Sequence, residues 1–276
     1  VATPPCTHAA LACDVLRAGK RLLLEKPLAL SATEAAQIEA EAMRRPQLVA
    51  LEASCRFSRT EPRFDYVRQF IADGRLGRVY HINFIDLKPT MYVEYNPAAR
   101  SWASQKHLAG GGAFFDWDEY DLSFLLGVLG DRPQLQSLRG FHTSGLRSET
   151  IAGGPITVEQ HGAALLEFDG GLTLYYERGG GVHGDMPATV RLHGTTGSLF
   201  FSYYPWDPNE LLFYHEGTNG AVISETLPVP MEPRWKNANT ALIAHFIDCI
   251  EGAAVPLMPI CLARKHLEII TAILAD

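Results

Sequence analysis

Apolar residues in the first quarter of the chain follow two alternating patterns. Short continuous runs at 22–24 and 48–54 are typical of strands that are buried on both faces. Longer stretches, in which apolar residues recur every three or four positions, predict helices at 8–18, 31–44 and 61–73. Because strands and helices take turns, residues 1–74 are expected to form a doubly wound α/β unit with a parallel sheet.

Beyond Gly77 the pattern changes to β-rich segments with few helices between them, and glycine-bearing turns at 169–171 and 194–197 join several of these segments. The predicted strands are 79–87, 135–143, 157–168, 172–178, 189–193, 198–203, 210–215 and 221–227. Helices are predicted at 115–129, 239–251 and 262–275. Strands that follow one another without helices favour a large, open, mostly antiparallel sheet. The fold class is therefore α/β, with a doubly wound part followed by an α+β part.

Composition and charge narrow the range of partners. The 276 residues are 47% hydrophobic, which is enough for one large domain or two smaller ones. The net charge is -7 and the basic residues are scattered, which argues against nucleic acid and anionic membranes as partners. Five cysteines without a CxxC pair favour a reducing, cytoplasmic location, and the histidines show no metal-ligand spacing, so no metal is predicted.

The first apolar run ends abruptly in two charges and a proline. Leu22–Leu24 is followed by Glu25, Lys26 and Pro27, which places both charges at the carboxyl edge of the predicted parallel sheet. Ligands of open α/β sheets bind at that edge, and Pro27 restricts the backbone of Lys26. The alternative is a strand that ends in solvated surface charges.

A second group of candidates lies where three glycines lead into the predicted helix at 115–129. Asp116 and Tyr120 are four residues apart, so they share one face of this helix. The functional interpretation is that both side chains face a substrate. The alternative is a buried core tyrosine and an aspartate that caps the start of the helix.

Taken together, these segments resemble the Gfo/Idh/MocA oxidoreductases over essentially the whole chain. The resemblance is carried by Val1-Ala2-Thr3-Pro4-Pro5 with His8, Ala18-Gly19-Lys20, Glu25-Lys26-Pro27, Ser54-Cys55-Arg56-Phe57, and Gly110-Gly111-Gly112 with Asp116. The family has a Rossmann domain followed by a domain with a large open sheet. The resemblance therefore implies that residues 1–74 are the C-terminal part of an NAD(P)-binding domain. Residues 75–276 would bind substrate and form oligomers, and the final helix, 262–275, would pack back on the first part.

The resemblance implies three catalytic residues. Lys26 would hydrogen-bond the reacting oxygen, Tyr120 would exchange the proton, and Asp116 would orient substrate hydroxyls. The Lys26 ammonium is expected to lower the pKa of Tyr120 from its ordinary value of about 10 toward neutrality.

The resemblance also implies binding residues. The predicted cofactor-binding residues are Thr3, Pro4, Pro5, His8, Glu25, Lys26, Pro27 and Arg56. The predicted substrate-binding residues are Arg100, Trp102 and Lys106, in the loop before the glycines.

The sequence departs from the family pattern in two places. The family begins with a strand and a glycine-rich phosphate loop, and this segment is expected to be absent because Val1 reads as the end of a strand. Tyr120 stands where the family usually has histidine, and Ser123 where it has a second aspartate. Some branches of the family carry tyrosine at the first of these positions, so the exchange is compatible with catalysis.

The leading hypothesis is an NAD(P)-dependent oxidoreductase that transfers hydride to or from a sugar, polyol or related hydroxy or keto compound. The expected cofactor is NAD or NADP. The chain is expected to form a homodimer or homotetramer through its sheet face. Two alternatives remain open: a non-catalytic regulator that binds nucleotide or sugar, and a truncated inactive remnant.

Overall fold

The first part of the chain alternates helices with two short strands. The structure, a computed structural model, describes residues 1–147 and 154–275, apart from the side chain of Tyr95. The elements are helix α1 (His8–Arg17), strand β1 (Leu22–Leu24), helix α2 (Ala32–Met43), strand β2 (Ala50–Glu52) and helix α3 (Pro62–Ala72). The strands pair in parallel, with Leu22 opposite Ala50 and Leu24 opposite Glu52. The predicted alternation of strands and helices is confirmed.

Strand β2 is shorter than the predicted strand at 48–54, because the side chain of Glu52 turns the chain. Its Oε2 accepts a hydrogen bond from the N–H of Ser54 at 2.9 Å, and Ala53–Cys55 forms a 3₁₀ turn. Such side-chain to backbone bonds compete with a strand ladder. The turn brings Arg56 to the same sheet edge as Lys26, where the two residues share Glu25 as a neighbour.

The rest of the chain is organised around one sheet of eight strands. They are β3 (Val79–Lys88), β4 (Leu135–Thr143), β5 (His161–Phe168), β6 (Thr173–Gly180), β7 (Met186–Gly194), β8 (Gly197–Ser202), β9 (Glu210–Glu216) and β10 (Val222–Pro228). Their order is β10-β9-β8-β7-β3-β6-β5-β4. Every neighbouring pair is antiparallel except β3 and β6, which are parallel. The predicted fold class is confirmed.

The remaining helices among the described residues lie between β3 and β4 or after β10 in the chain. They are α4 (Tyr92–Tyr95), α5 (Lys106–Ala109), α6 (Ala113–Gly127), α7 (Ala238–Glu251) and α8 (Ile260–Ile273). Helix α8 packs against α2 and α6, and its Arg264 forms an ion pair with Glu39 of α2. The domain boundary at residue 74 stays a prediction. Among the described residues, no helix is both long and apolar enough to cross a membrane.

Helix α6 lies in the centre of the molecule and positions the candidate site. It packs on β5 and β6 on one side, and on α8 and the turn after β2 on the other. Every residue from Asp118 to Gly127 is buried as a result. Because a buried polar group must find a partner, the acidic residues of α6 are held in defined positions by the elements around them.

Candidate active site

Lys26 and Asp116 form an ion pair between the edge of the parallel strands and the first turns of α6. Lys26 Nζ lies 2.6 Å from Asp116 Oδ1 and 2.6 Å from the backbone oxygen of the same residue. The two side chains are 13% and 25% exposed. The peptide bond between Lys26 and Pro27 is cis. The structure thus brings together two of the three predicted catalytic residues, 90 positions apart in sequence, where solvent reaches both.

The three glycines before α6 allow a close approach of the chain to Glu159. A Cβ atom on Gly112 would lie 1.8 Å from the backbone oxygen of Glu159, and one on Gly111 would lie 2.4 Å from the Phe115 side chain. Gly110 has a φ of +89°, which favours glycine. Glu159 Oε1 accepts hydrogen bonds from the N–H groups of Gly112 at 2.7 Å and Phe115 at 3.0 Å.

Glu159 therefore caps helix α6 from a distant segment, and Asp116 is not the cap that one interpretation predicted. The N-cap position is Gly112, which has no capping side chain. The Asp116 carboxylate is directed to Lys26 instead. The glycines thus have a structural role, because they let the helix start close to the strand edge at which Lys26 lies.

Tyr120 is buried beneath this pair, and its hydroxyl contacts Arg56. Lys26 Nζ lies over the Tyr120 ring, 5.2 Å from its centroid, while Arg56 Nη2 donates a hydrogen bond to the Tyr120 hydroxyl. Arg56 also forms an ion pair with Glu25 and donates to Asn239 Oδ1 at 3.0 Å. Four of the predicted site residues, Glu25, Lys26, Arg56 and Tyr120, thus form one cluster.

The expected lowering of the Tyr120 pKa by Lys26 is wrong for this arrangement. Burial raises the pKa of Tyr120 well above its ordinary value, and the nearby Arg56 guanidinium opposes that shift only in part. Only 2% of Tyr120 is exposed, so loss of hydration outweighs the neighbouring cations. Lys26 faces the ring, not the hydroxyl, and acts on Tyr120 as a cation–π partner.

Two further carboxylates lie buried behind the cluster. Glu119 accepts hydrogen bonds from the N–H of Leu28 at 3.1 and 3.2 Å, and Glu52 is the last residue of β2. Burial raises the pKa of Glu52 to about 7 and raises that of Glu119 well above its ordinary range. The charge of Glu52 adds to the rise in the pKa of Glu119.

The predicted cofactor-binding residues surround the edge of the parallel strands. His8 is buried, with ring nitrogens 2.7 Å from the Pro27 oxygen and 2.9 Å from the Thr3 oxygen. It thereby fixes the two loops relative to each other. Thr3 and Pro4 are exposed, whereas Pro5 is buried and lines the adjoining cavity. Roles in cofactor binding stay predictions for all eight residues.

These surroundings fit the reactive end of a nicotinamide dinucleotide. The Nε atom of Arg56 is buried and has no hydrogen-bond partner among the described residues, so a donor remains available beside Lys26. The exposed Thr3 and Pro4 at the strand edge provide an open surface. Among the described residues, no group of three or more His, Cys, Asp or Glu is arranged to hold a metal ion.

A cavity of about 440 Å³ opens beside Asp116 and reaches between α6 and the large sheet. Trp102 lines it, as predicted for a substrate contact, together with Trp117 and Trp206. Arg100 and Lys106 are exposed, and neither is among the described residues that line the cavity. Arg100 Nε instead donates to the backbone oxygen of Val93 at 3.3 Å. The substrate role predicted for these two basic residues has no support from their positions.

Sequence reasoning missed several charged residues on the inner face of the large sheet. Asp86 of β3 and Arg178 of β6 are register partners, and Arg178 Nη1 lies 2.6 Å from Asp86 Oδ2. Arg178 also binds Asp121 of α6, with Nε 2.8 Å from Oδ2. Over most of its length each strand alternates buried and partly buried positions, and Asp86 and Arg178 occupy buried ones. That alternation was the available signal, because a charge at a core-facing position needs a partner.

Comparison with known proteins agrees with this architecture. Residues 64–200 match the model of the GFO/IDH/MocA C-terminal domain, and residues 1–52 match the model of the oxidoreductase family with an NAD-binding Rossmann fold. The chain belongs to the Gfo/Idh/MocA oxidoreductase family.

Individual relatives are dehydrogenases of small hydroxylated compounds. Levoglucosan dehydrogenase of Pseudarthrobacter phenanthrenivorans is 26% identical over 77% of this chain and 57% of its own length. Trans-1,2-dihydrobenzene-1,2-diol dehydrogenase of Bos taurus is 28% identical over 74% of this chain and 54% of its own length. The chain thus spans about half the length of the curated relatives it matches.

A solved structure of levoglucosan dehydrogenase, in complex with NADH and levoglucosan, has the same fold. It aligns with a TM-score of 0.81 at 21% identity, covering 99% of this chain and 76% of that one.

Proposed function

We propose that the protein is an NAD(P)-dependent oxidoreductase that transfers hydride between a nicotinamide and a sugar, polyol or related hydroxy or keto compound. The observation that carries this proposal is the Lys26–Asp116 pair at the mouth of a 440 Å³ cavity. The pair is partly exposed, so both groups are available to a substrate oxygen. Family membership supports the same chemistry.

Each residue of the cluster has its own role in the proposed reaction. The nicotinamide, NAD or NADP, supplies the hydride when it is bound. Lys26 donates a hydrogen bond to the reacting oxygen, and Asp116, which holds the Lys26 ammonium at 2.6 Å, orients the substrate hydroxyls. Tyr120 exchanges the proton, and Arg56 fixes the orientation of its hydroxyl.

Binding of the cofactor falls to the edge of the parallel strands. Backbone groups of Thr3, Pro4 and Pro5 border the nicotinamide, and His8 keeps this loop against Pro27. Glu25 holds Arg56 beside Lys26.

Turnover tests the proposal. A panel of neutral sugars and polyols is offered as substrates, and the formation or consumption of reduced nicotinamide is measured by absorbance. Lys26→Ala and Tyr120→Phe are each expected to lower kcat/KM by ~10²–10⁴-fold, because each removes a group that positions or transfers a proton. Lys20→Ala and Tyr175→Phe serve as matched controls: the exposed Lys20 precedes β1 and Tyr175 lies on β6. The mechanism is wrong if both catalytic-site variants keep the wild-type kcat/KM.

A second candidate function is a regulator that binds nucleotide or sugar without turnover. It is favoured by the state of Tyr120, whose buried hydroxyl contacts Arg56 and whose pKa burial raises. Binding of NAD(P)H, measured by fluorescence, without hydride transfer to any member of the panel would select this function.

The large sheet is also the proposed oligomer interface. The strands expose large apolar side chains, including Phe141, Leu165, Leu212 and Ile223. Because apolar side chains exposed on a sheet favour burial, we propose a homodimer or homotetramer formed through the sheet. Light scattering would show the mass, and Phe141→Lys together with Leu165→Lys is expected to reduce it to that of one chain.

The five free cysteines support a cytoplasmic location.

A further inference from the structure

A carboxylate on the inner face of the large sheet keeps one oxygen free for an occupant of the cavity. Asp86 lines the cavity and is 0% exposed. Its Oδ2 accepts hydrogen bonds from Arg178 Nη1 at 2.6 Å and from the Tyr204 hydroxyl at 2.5 Å. Its Oδ1 has no hydrogen-bond partner among the described residues. The nearest cation, Lys88 Nζ, is 3.5 Å away, longer than an ordinary N–H···O hydrogen bond.

Among the described residues, the donors that bind Asp86 Oδ2 are already engaged, and Oδ1 has only the long ion-pair contact with Lys88. Arg178 is engaged by Asp121 through Nε at 2.8 Å and Nη2 at 3.0 Å, in addition to Asp86 Oδ2. The Tyr204 hydroxyl is already used on Oδ2. A buried acceptor without a donor is costly. A hydroxyl group of a bound molecule would supply the missing hydrogen bond.

Aromatic rings form the wall beside Asp86. Trp206 stacks on Tyr204, with ring centroids 4.5 Å apart and an interplanar angle of 13°. Trp117 meets Tyr204 edge-on at 5.5 Å. Trp206 also meets Phe57 and Trp235 edge-on but is 44% exposed, so part of its ring surface can receive the apolar face of a bound ring.

The remaining charges disfavour an anionic occupant. Asp116, Glu159 and Asp207 also line the cavity, and they carry carboxyl groups. The two cations of the lining, Lys88 and Arg178, are both paired with Asp86. A carboxylate or phosphate group in this space would face like charges without a free cation.

We propose that Asp86 and Trp206 select the substrate: an uncharged, hydroxylated ring that donates a hydroxyl hydrogen bond to Asp86 Oδ1 and lays its apolar face on Trp206. Sugar acids and sugar phosphates are rejected. This inference rests on the proposed function, because it concerns the substrate of the same cavity. Asp86 and Trp206 act on specificity, while the reacting oxygen is handled by Lys26.

Calorimetric binding tests the selection independently of turnover. Glucose, galactose and inositol are titrated into the protein with and without NADH, each beside a carboxylated or phosphorylated counterpart. The wild-type protein is expected to bind at least one neutral compound about ten-fold or more tightly than its anionic counterpart. Asp86→Asn is expected to weaken that binding by about ten-fold and to reduce the discrimination, since a charged acceptor is lost.

If Asp86→Asn does not fold, Trp206→Ala provides a second test. The Trp206 side chain is substantially exposed, so its removal should not prevent folding. It is expected to weaken neutral-ring binding by about three- to ten-fold. The matched controls are Asp185→Asn, which removes the other partner of Lys88, and Tyr80→Ala, which removes a 43% exposed ring outside the cavity lining. Both controls should bind as the wild type does, and thermal melting verifies their folding.

The inference is overturned if anionic compounds bind as tightly as neutral ones, if no sugar or polyol binds, or if both site variants retain wild-type affinity. Failure of the proposed function has a different signature. If the protein prefers neutral rings in calorimetry but transfers no hydride, the proposed enzymatic function is wrong and the inference about substrate selection stands.

Discussion

Helix α6 carries two sets of acidic residues that meet cations in contrasting surroundings. Asp116 meets Lys26 near the mouth of the cavity, where the two side chains are 25% and 13% exposed. Asp121 meets Arg178 on the inner face of the sheet, where the side chains are 0% and 4% exposed. Solvent, cofactor and substrate can approach the first pair. The second is shielded from bulk solvent, although Arg178 lines the inner part of the cavity.

The difference in exposure separates charged residues that can take part in a reaction from those that stabilise the fold. Arg178 is surrounded by Asp86, Asp121 and Tyr204, so its charge is fully neutralised within the protein. Lys26 has one carboxylate and one backbone oxygen, which leaves a place for a substrate oxygen. A buried network confers rigidity on the sheet, while the half-buried pair can change partners during a reaction.

The largest effect is expected from removing the buried cation. Arg178→Met leaves Asp86 and Asp121 without their counter-charge, so the free energy of unfolding is expected to fall by about 3–5 kcal/mol. Urea denaturation measures the change. The control is Arg191→Met on strand β7, where the partly buried arginine lies over the Phe200 ring and makes a 3.4 Å contact with Asn83 Oδ1. If Arg178→Met lost no more stability than Arg191→Met, the buried ion pairs of Arg178 would not be the stabilising ones that this comparison assumes.

A substitution in the half-buried Lys26–Asp116 pair should lower activity much more than stability. Asp116→Asn is expected to lower kcat/KM by about 10–100-fold, because Lys26 loses the carboxylate that positions it. The free energy of unfolding should change by less than about 1 kcal/mol, as for other partly exposed ion pairs. Asp65→Asn is the matched control, since Asp65 also lies in the first turn of a helix but is exposed. Loss of stability with full activity would contradict the assignment.

The smallest effect concerns the pH dependence of stability near Glu52. Burial raises the pKa of Glu52 from 4.5 to about 7, while hydrogen bonds from Ser54 oppose the shift, Glu25 adds to it and Lys26 opposes it. The unfolded chain releases this proton near pH 4.5, whereas the folded protein retains it until about pH 7. Its contribution to stability is therefore complete below about pH 4.5 and is lost as pH rises through about 7.

Glu52→Gln removes that ionisation. The stability of the variant relative to the wild type should therefore increase between pH 5 and pH 8, by about 1–3 kcal/mol. Thermal melts at the two pH values measure it, with Glu167→Gln, an exposed site on β5, as the control. A difference that does not depend on pH would show that Glu52 is already ionised in the folded protein.

Much of the fold could be predicted from the sequence, because strand and helix periods are local. The apolar run at Leu22–Leu24 and the β-rich character of 79–87 and 172–178 predicted strands β1, β3 and β6. The strand at 48–54 was predicted too long, because one hydrogen bond from Glu52 ends it. The strand at 157–168 begins only at His161, because Glu159 bends back to cap α6.

The candidate site was predicted in part. Lys26 and Asp116 were brought together by motif order, and the structure joins them directly. The partner of the Tyr120 hydroxyl was not anticipated: Arg56 takes the place expected for Lys26. Asp86 was not considered at all, since a single aspartate in a strand gives no sign of the arginine opposite it.

By itself, the sequence determined the order of strands and helices, the position of Lys26 at a strand edge, and the shared helix face of Asp116 and Tyr120. These properties follow from backbone preferences within a few residues. The tertiary structure decided the partners: Arg56 with Tyr120 across 64 positions, and Arg178 with Asp86 across 92. Such pairs depend on sheet register and on the burial of α6, and burial sets how strongly each charge binds its neighbour.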